Sequence, residues 1–158
     1  MTADDTGTAP PSRIPWPPLL LVGAIGGGAL VESLLPGPAS WPDWARTIGV
    51  LLIVLAFSVD VWCVRLMWGR GTTVRPDRAV SSLVTDGPFR FSRNPIYVGN
   101  VALVAGLGLA CAAPTLLLLA PVMAIALAKL AIEPEERHLA RRFDRDYDAY
   151  VARTRRWL

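Results

Sequence analysis

The sequence is poor in the residues that build metal centres and cross-linked scaffolds. It holds one histidine and two cysteines, short of the four Cys or His ligands of a typical structural zinc site. Cys63 and Cys111 lie in separate apolar runs, which argues against a disulfide framework and leaves them as small core residues. No metal is expected. Lysine is nearly absent too: of sixteen basic residues, all but Lys129 are arginine. The formal charge of +3 suggests nucleic acid only until those arginines are located. They gather in two blocks beside apolar runs, as the cytoplasmic loops of membrane proteins do next to anionic lipid. Nucleic acid is therefore not an expected partner, whereas the lipid bilayer is.

Charge is missing altogether from Ile96 to Ala128. As a single helix that run would reach roughly 50 Å, against a hydrocarbon core of about 30 Å. It reads instead as two spans turned at Ala112-Ala113-Pro114. The expected fold is an all-α integral membrane protein: four transmembrane helices at about 19–35, 44–68, 96–113 and 115–132, then an amphipathic C-terminal helix. Residues 1–15 read as a disordered tail, and 16–158 as one membrane domain. Gly26-Gly27-Gly28 suits close approach of a neighbouring helix, and Pro36-Gly37-Pro38 ends the first span. Trp41, Trp44, Trp62 and Trp68 fall near the ends of the second, as interfacial aromatics do.

Counting bases sets the orientation. Arg70, Arg75, Arg78, Arg90 and Arg93 lie between spans two and three, and seven more arginines follow span four. The connection between spans one and two holds only Arg46, and the hairpin turn holds no base. Both blocks then share the cytoplasmic face, with both termini inside, in a membrane expected to be the bacterial inner membrane. Four ionisable residues lie at or within spans: Glu32, Asp60, Arg65 and Lys129. Glu32 lies near the outer end of span one, and Arg65 and Lys129 are within snorkelling reach of the cytoplasmic interface. Asp60 is deeper, and is a candidate to pair with a base of another span or to line a polar cavity.

Two segments carry the informative patterns. The first, residues 81–99, contains a turn signal at Asp86-Gly87-Pro88 and a second break at Asn94-Pro95, where span three opens. Asn94 is a plausible N-cap, and the amide groups of that helix start favour an anionic group such as a carboxylate. Tyr97 offers an aromatic face with a polar tip, and Gly99 permits close packing against the backbone. The second segment, residues 133–156, opens with Glu133-Pro134-Glu135-Glu136, where Pro134 fits the first turn of a new helix. Leu139, Phe143, Tyr147, Tyr150 and Val151 form one stripe at helical spacing. Glu135 and Glu136 flank it, and two carboxylates beside a donor-rich helix start suit a small zwitterionic or cationic ligand.

Together these segments resemble the isoprenylcysteine carboxyl methyltransferase and phospholipid methyltransferase family. The pattern is a Gly-x-Phe/Tyr turn, Arg-His-Pro-x-Tyr-x-Gly opening a span, an apolar hairpin, Glu-Glu-x-x-Leu, and Phe-Gly-x-x-Tyr-x-x-Tyr. Here it reads Gly87-Pro88-Phe89, Arg93-Asn94-Pro95-Ile96-Tyr97-Val98-Gly99, Glu135-Glu136-Arg137-His138-Leu139 and Phe143-Asp144-Arg145-Asp146-Tyr147-Asp148-Ala149-Tyr150. The resemblance implies an S-adenosyl-L-methionine pocket between the last two spans and the tail. Its contacts would be Leu83, Val84, Phe89, Asn94, Pro95, Ile96, Tyr97, Glu135 and Glu136. It implies a lipophilic or small methyl acceptor: an isoprenylcysteine carboxylate, a lipid amine or a thiol. No general base stands out, so no catalytic residue is assigned. Asn94 replaces the pattern's His, and Ala131 stands where the prenylcysteine enzymes carry the Arg that holds a substrate carboxylate. Lys129 is the nearest base, the candidate substrate contact. A sterol-reductase-type, NADPH-dependent enzyme and a non-catalytic membrane scaffold are the alternatives.

Overall fold

The computed structural model describes residues 14–35, 41–71 and 83–158. The expected N-terminal tail, the break after span one, and Arg75 and Arg78 lie outside those residues. Helix α1 covers Trp16–Leu34, α2 Asp43–Gly69, α3 Pro95–Ala110, α4 Pro114–Leu127 and α5 Glu133–Arg153. A short 3-10 turn, Gly87–Arg90, precedes α3. Prolines open α1, α3 and α4 within their first two positions, where a missing N–H costs no internal hydrogen bond.

The spans expected from the apolar runs are these helices. Trp16–Leu34, Asp43–Gly69 and the continuous helix from Pro114 are long and apolar enough to cross a membrane, and Pro95–Ala110 is apolar but shorter. Large side chains point outward along them: Val22, Leu51, Leu55, Phe57, Leu118 and Ile125 are all more than half exposed. Such a surface is disfavoured in water and suited to lipid. The protein is an integral membrane protein.

Packing follows small residues. Gly49 of α2 and Gly106 of α3 face each other so closely that a Cβ on Gly49 would lie 2.6 Å from the Gly106 carbonyl oxygen. Between helices in lipid, such backbone approach supplies dispersion contacts that the hydrophobic effect does not. Only Gly28 of the expected triple plays this part, against Leu116 of α4, while Gly26 and Gly27 face open space. The core beneath these crossings gathers Ala24, Val104, Leu116, Met123 and Leu127. At the end of the bundle that holds the hairpin turn, the Glu32 carboxylate of α1 accepts the Thr115 amide N–H at 2.9 Å. It thereby caps α4, where a helix start favours negative charge.

The hairpin turns as expected. The Ala113 N–H reaches back to the Gly108 carbonyl at 2.8 Å and Ala112 sits at φ +52°, the left-handed helix ending usually given to glycine.

Two expectations fail in α5. Pro134 does not open a new helix, because α4 runs into α5 through a wide π turn, Ala128–Ile132, closed by the Glu133 N–H on the Ala128 carbonyl. In a regular helix Pro134 would clash with the Leu130 carbonyl, and the widened turn relieves that clash. The glutamates therefore do not sit at a free helix start. The real break is Asp144, at φ +40° and ψ −116°, a conformation that costs least for glycine. Asp144 occupies the glycine position of the Phe-Gly-x-x-Tyr pattern. The break re-phases the helix, so His138, Tyr147 and Tyr150 are buried while Val151 is exposed.

Candidate functional site

The loop before α3 is shaped from below. Gly87 adopts φ +58° over Trp62 and Leu66 of α2, a backbone state and a closeness that favour glycine. Arg70 at the end of α2 pairs with Asp86 at 2.6 Å. The chain then runs through the 3-10 turn to Asn94 and into α3.

The C-terminal part of α5 and the residues beyond it fold back on this loop. The Tyr150 hydroxyl donates to the Phe89 carbonyl at 2.7 Å. The Arg93 amide donates to the Arg155 carbonyl at 2.9 Å, beside a parallel bridge between Ser92 and Arg155. The Asn94 side-chain amide donates to the Arg156 carbonyl at 2.9 Å, and its backbone N–H donates to Ser92 Oγ at 3.0 Å. Asn94 therefore does not cap α3 with its side chain. The carbonyl of the returning tail attracts the amide away from the helix start, and the first-turn amides of α3 carry no side-chain cap from it.

Within this frame the adjacent carboxylates diverge. The Glu136 carboxylate accepts from Arg93 Nε and Nη2 at 3.2 and 2.9 Å. It also accepts from Arg156 Nη2 at 2.6 Å. The side chains of Arg93 and Glu136 are only 12% and 15% exposed, so the pair sits in low dielectric, where leaving either charge alone is costly. Arg93 Nη1 also donates to the Thr154 carbonyl at 3.0 Å, fixing the tail. Beside this clamp lies a cleft of about 600 Å³, lined by Arg93, Glu133, Glu136, Arg137, Tyr147 and Arg156 among others. That size is ample for a small molecule. Burial pushes the Tyr147 hydroxyl up to about 12.

Glu135 instead accepts one hydrogen bond, from the Tyr97 hydroxyl at 3.0 Å. Burial raises its carboxyl above the usual range, the Tyr97 hydroxyl opposes that rise, and the neighbouring Glu136 charge adds to it. A desolvated carboxylate held by one neutral donor has a strong remaining preference for a cation.

The structure thus brings Tyr97 and Glu135 together and sets Asn94, Phe89 and Glu136 in the frame around them. Pro95 is buried on the α2 side of α3. Ile96 lies between Pro95 and Tyr97 in the same first turn, and Val84 is buried ahead of the loop, with Leu83 beside it in sequence. Lys129 stands apart: its ammonium pairs with Glu133 at 2.6 Å and is 68% exposed. Arg156 and Thr154 were not among the expected site residues. Thr154 enters through its backbone carbonyl and Arg156 through both its carbonyl and its guanidinium, and no side-chain pattern announces a carbonyl.

Compared with known proteins, residues 44–146 match the phospholipid methyltransferase family. The chain belongs to this family. The match takes in α2, the loop, the α3–α4 hairpin and the first part of α5. Two curated relatives are similar across most of the chain. The nickel-cobalt-cadmium resistance protein NccN of Alcaligenes xylosoxydans xylosoxydans is 33% identical over 77% of this chain and 55% of its own. The cobalt-zinc-cadmium resistance protein CzcN of Cupriavidus metallidurans is 32% identical over 79% of this chain and 56% of its own. The chain thus spans about half the length of these relatives. No solved structure matches it. Among the described residues no group of three or more His, Cys, Asp or Glu is placed to hold a metal ion.

Proposed function

We propose that this protein is an integral membrane methyltransferase using S-adenosyl-L-methionine, with its cofactor site at the cytoplasmic end of the α3–α4 hairpin. The observation that carries the reading is the half-buried Tyr97–Glu135 pair at 3.0 Å, beside the start of α3. The cofactor is a zwitterion with an added sulfonium charge, and the donor set fits it. Glu135 offers a desolvated carboxylate for a cationic group, and the amides of the first turn of α3 offer donors for a carboxylate. When bound, the cofactor supplies a methyl group on sulfonium, which passes to the acceptor's lone pair as the carbon–sulfur bond breaks. The chain's own part is to bind, orient and exclude water. Glu136, Arg93 and Arg156 hold the wall that positions Glu135. Leu83, Val84, Phe89, Asn94, Pro95 and Ile96 complete that wall in this reading.

The acceptor is a lipophilic or small molecule, and an amine or thiol suits the site better than a carboxylate. Ala131 offers no charge to hold an acidic acceptor, and Lys129 is engaged with Glu133. Both termini are assigned to the cytoplasmic face of a bacterial inner membrane, and residues 16–158 to one domain. Carried to this chain, the relatives' names would place methyl transfer in a metal-resistance system, a context that growth under cobalt or cadmium tests directly.

Calorimetry on detergent-purified protein tests the cofactor. S-adenosyl-L-methionine should bind and NADPH should not. Binding of NADPH alone would replace this reading with a reductase, and binding of neither would leave a scaffold. Labelled-methyl transfer to lipid extracts, amines and thiols then identifies the acceptor.

A further inference from the structure

One buried polar group lies outside both the clamp and the Tyr97–Glu135 pair. His138 of α5 is the chain's single histidine, and it is only 4% exposed. Its Nε2 is enclosed and has no hydrogen-bond partner. A buried ring nitrogen without a partner weakens a fold, so a protein keeps one where it serves something other than stability. The nearest chemistry is Glu135, three residues earlier on the same regular stretch of α5, ahead of the break at Asp144. Residues at that spacing are neighbours on one helix face, with Cβ atoms about 5–6 Å apart. The Glu135 carboxylate is taken up by the Tyr97 hydroxyl, which leaves Nε2 unsatisfied beside it.

We propose that His138 is the catalytic base of methyl transfer, taking through Nε2 the proton that a thiol or amine acceptor must lose. This rests on the methyltransferase reading and adds two things to it: a catalytic residue, and an acceptor that carries a proton on its reacting atom. As the lone pair of that atom bonds to the methyl carbon, the carbon–sulfur bond breaks and its electron pair stays on sulfur. The acceptor's proton passes to Nε2, and the imidazolium returns it to water once the products leave.

The surroundings keep the ring in the form a base needs. With its own proton on Nδ1, the neutral imidazole presents a lone pair at Nε2. Burial lowers the pKa from the usual 6.5, and the Arg142 and Arg141 charges lower it further, so the ring is neutral at neutral pH. The other titratable groups beside it are Glu135 on its own helix and, from α3, the Tyr97 hydroxyl that Glu135 accepts. The π turn packed on this part of α5 brings Lys129, whose ammonium is turned out to Glu133.

The test uses the solitary histidine. The full chain with isotope-labelled histidine, purified without a histidine tag, gives the NMR signals of one imidazole. At neutral pH they should report a neutral ring with a bare Nε2, titrating below the usual histidine range. Adding S-adenosyl-L-homocysteine with octanethiol should shift the Nε2 signal, and a signal that stays in place overturns the proposal. Labelled-methyl transfer to octanethiol or octylamine should fall about a hundredfold in His138→Gln, with S-adenosyl-L-methionine bound within about twofold of wild type. That loss should shrink as pH rises toward the acceptor's own pKa, where the acceptor sheds its proton unaided. A loss equal at every pH, or transfer to neither probe by the wild type, overturns the proposal. His138→Leu should unfold at the same or a higher temperature, because it removes an unpaired nitrogen; a lower one would mark the ring as structural and sink the idea. Wild-type protein that does not bind S-adenosyl-L-methionine would overturn the methyltransferase reading itself, whereas binding with a silent His138 overturns only this proposal.

Discussion

Glu135 and Glu136 are neighbours with identical side chains, yet they sit in opposite electrostatic surroundings. Glu136 lies between Arg93 and Arg156 and faces the polar cleft. Glu135 turns toward the membrane-spanning hairpin and meets one neutral hydroxyl. Successive helical residues point about a hundred degrees apart, so one step in sequence moves a carboxylate from the clamp to the interior. The same group therefore stabilises the fold in one place and, in our reading, recognises a cation in the other.

The comparison can be broken most forcefully at Arg93. Arg93→Ala should cost about 3 kcal/mol, because it removes a partly buried charge partner and releases the tail carbonyl. The loss would appear as a large fall in unfolding temperature in detergent. An unchanged temperature would mean that Glu136 is held by Arg156 alone. Glu136→Gln should cost about 2 kcal/mol, since an amide cannot hold two guanidiniums.

Glu135→Gln should act the other way. Affinity for S-adenosyl-L-methionine should fall more than about tenfold, or about 1.4 kcal/mol, with an unfolding temperature that is unchanged or higher. The sign follows from its carboxyl being held above the usual range by burial. Such a group favours the folded state in acid and loses that contribution as pH rises through its raised pKa. A side chain that is neutral at every pH escapes the loss. For binding, the charged form is needed, so wild-type affinity should weaken as pH falls through the same pKa. Tyr97→Phe removes the donor that favours the charged form, so that weakening should begin at higher pH. Titration calorimetry across pH separates this from a merely structural Tyr97, which would lower affinity equally at every pH.

The smallest effect belongs to the backbone. Asp144→Gly and Ala112→Gly should each stabilise the fold by about 1 kcal/mol, because both positions hold positive φ at a steric cost that glycine avoids. A loss of stability at Asp144 would show that its side chain makes a contact worth more than the strain.

Much of the scaffold was legible because lipid imposes a simple rule. A long run without charge must span, and Ile96 to Ala128 is too long to span once. The hairpin turn and the loop at Gly87 followed from the same chemistry. The pairing of Tyr97 with Glu135 was legible only as membership of two patterned segments. The π turn was hidden, since Pro134 looks the same opening a helix as it does after a widened turn. The docking of the tail was hidden more deeply. Its acceptors are the carbonyls of Thr154, Arg155 and Arg156, and every residue has a carbonyl. Glycine in the Phe-Gly pattern was the one advance sign of the break at Asp144.

The Glu32 cap bears on how the protein is made. The family match begins at residue 44, after α1, so the match by itself gives α1 no part in the domain. Yet the carboxylate that satisfies the start of α4 comes from α1. An acidic group of α1 therefore has a partner, the Thr115 amide, that is translated some eighty residues later. Until α4 is in place that hydrogen bond cannot form, and an acid within a membrane span is costly without its full set of partners. The docking of α1 on α4 is thus tied to the meeting of an acid with a helix start, and a chain stalled before Thr115 would lack the amide that joins its first described helix to the hairpin.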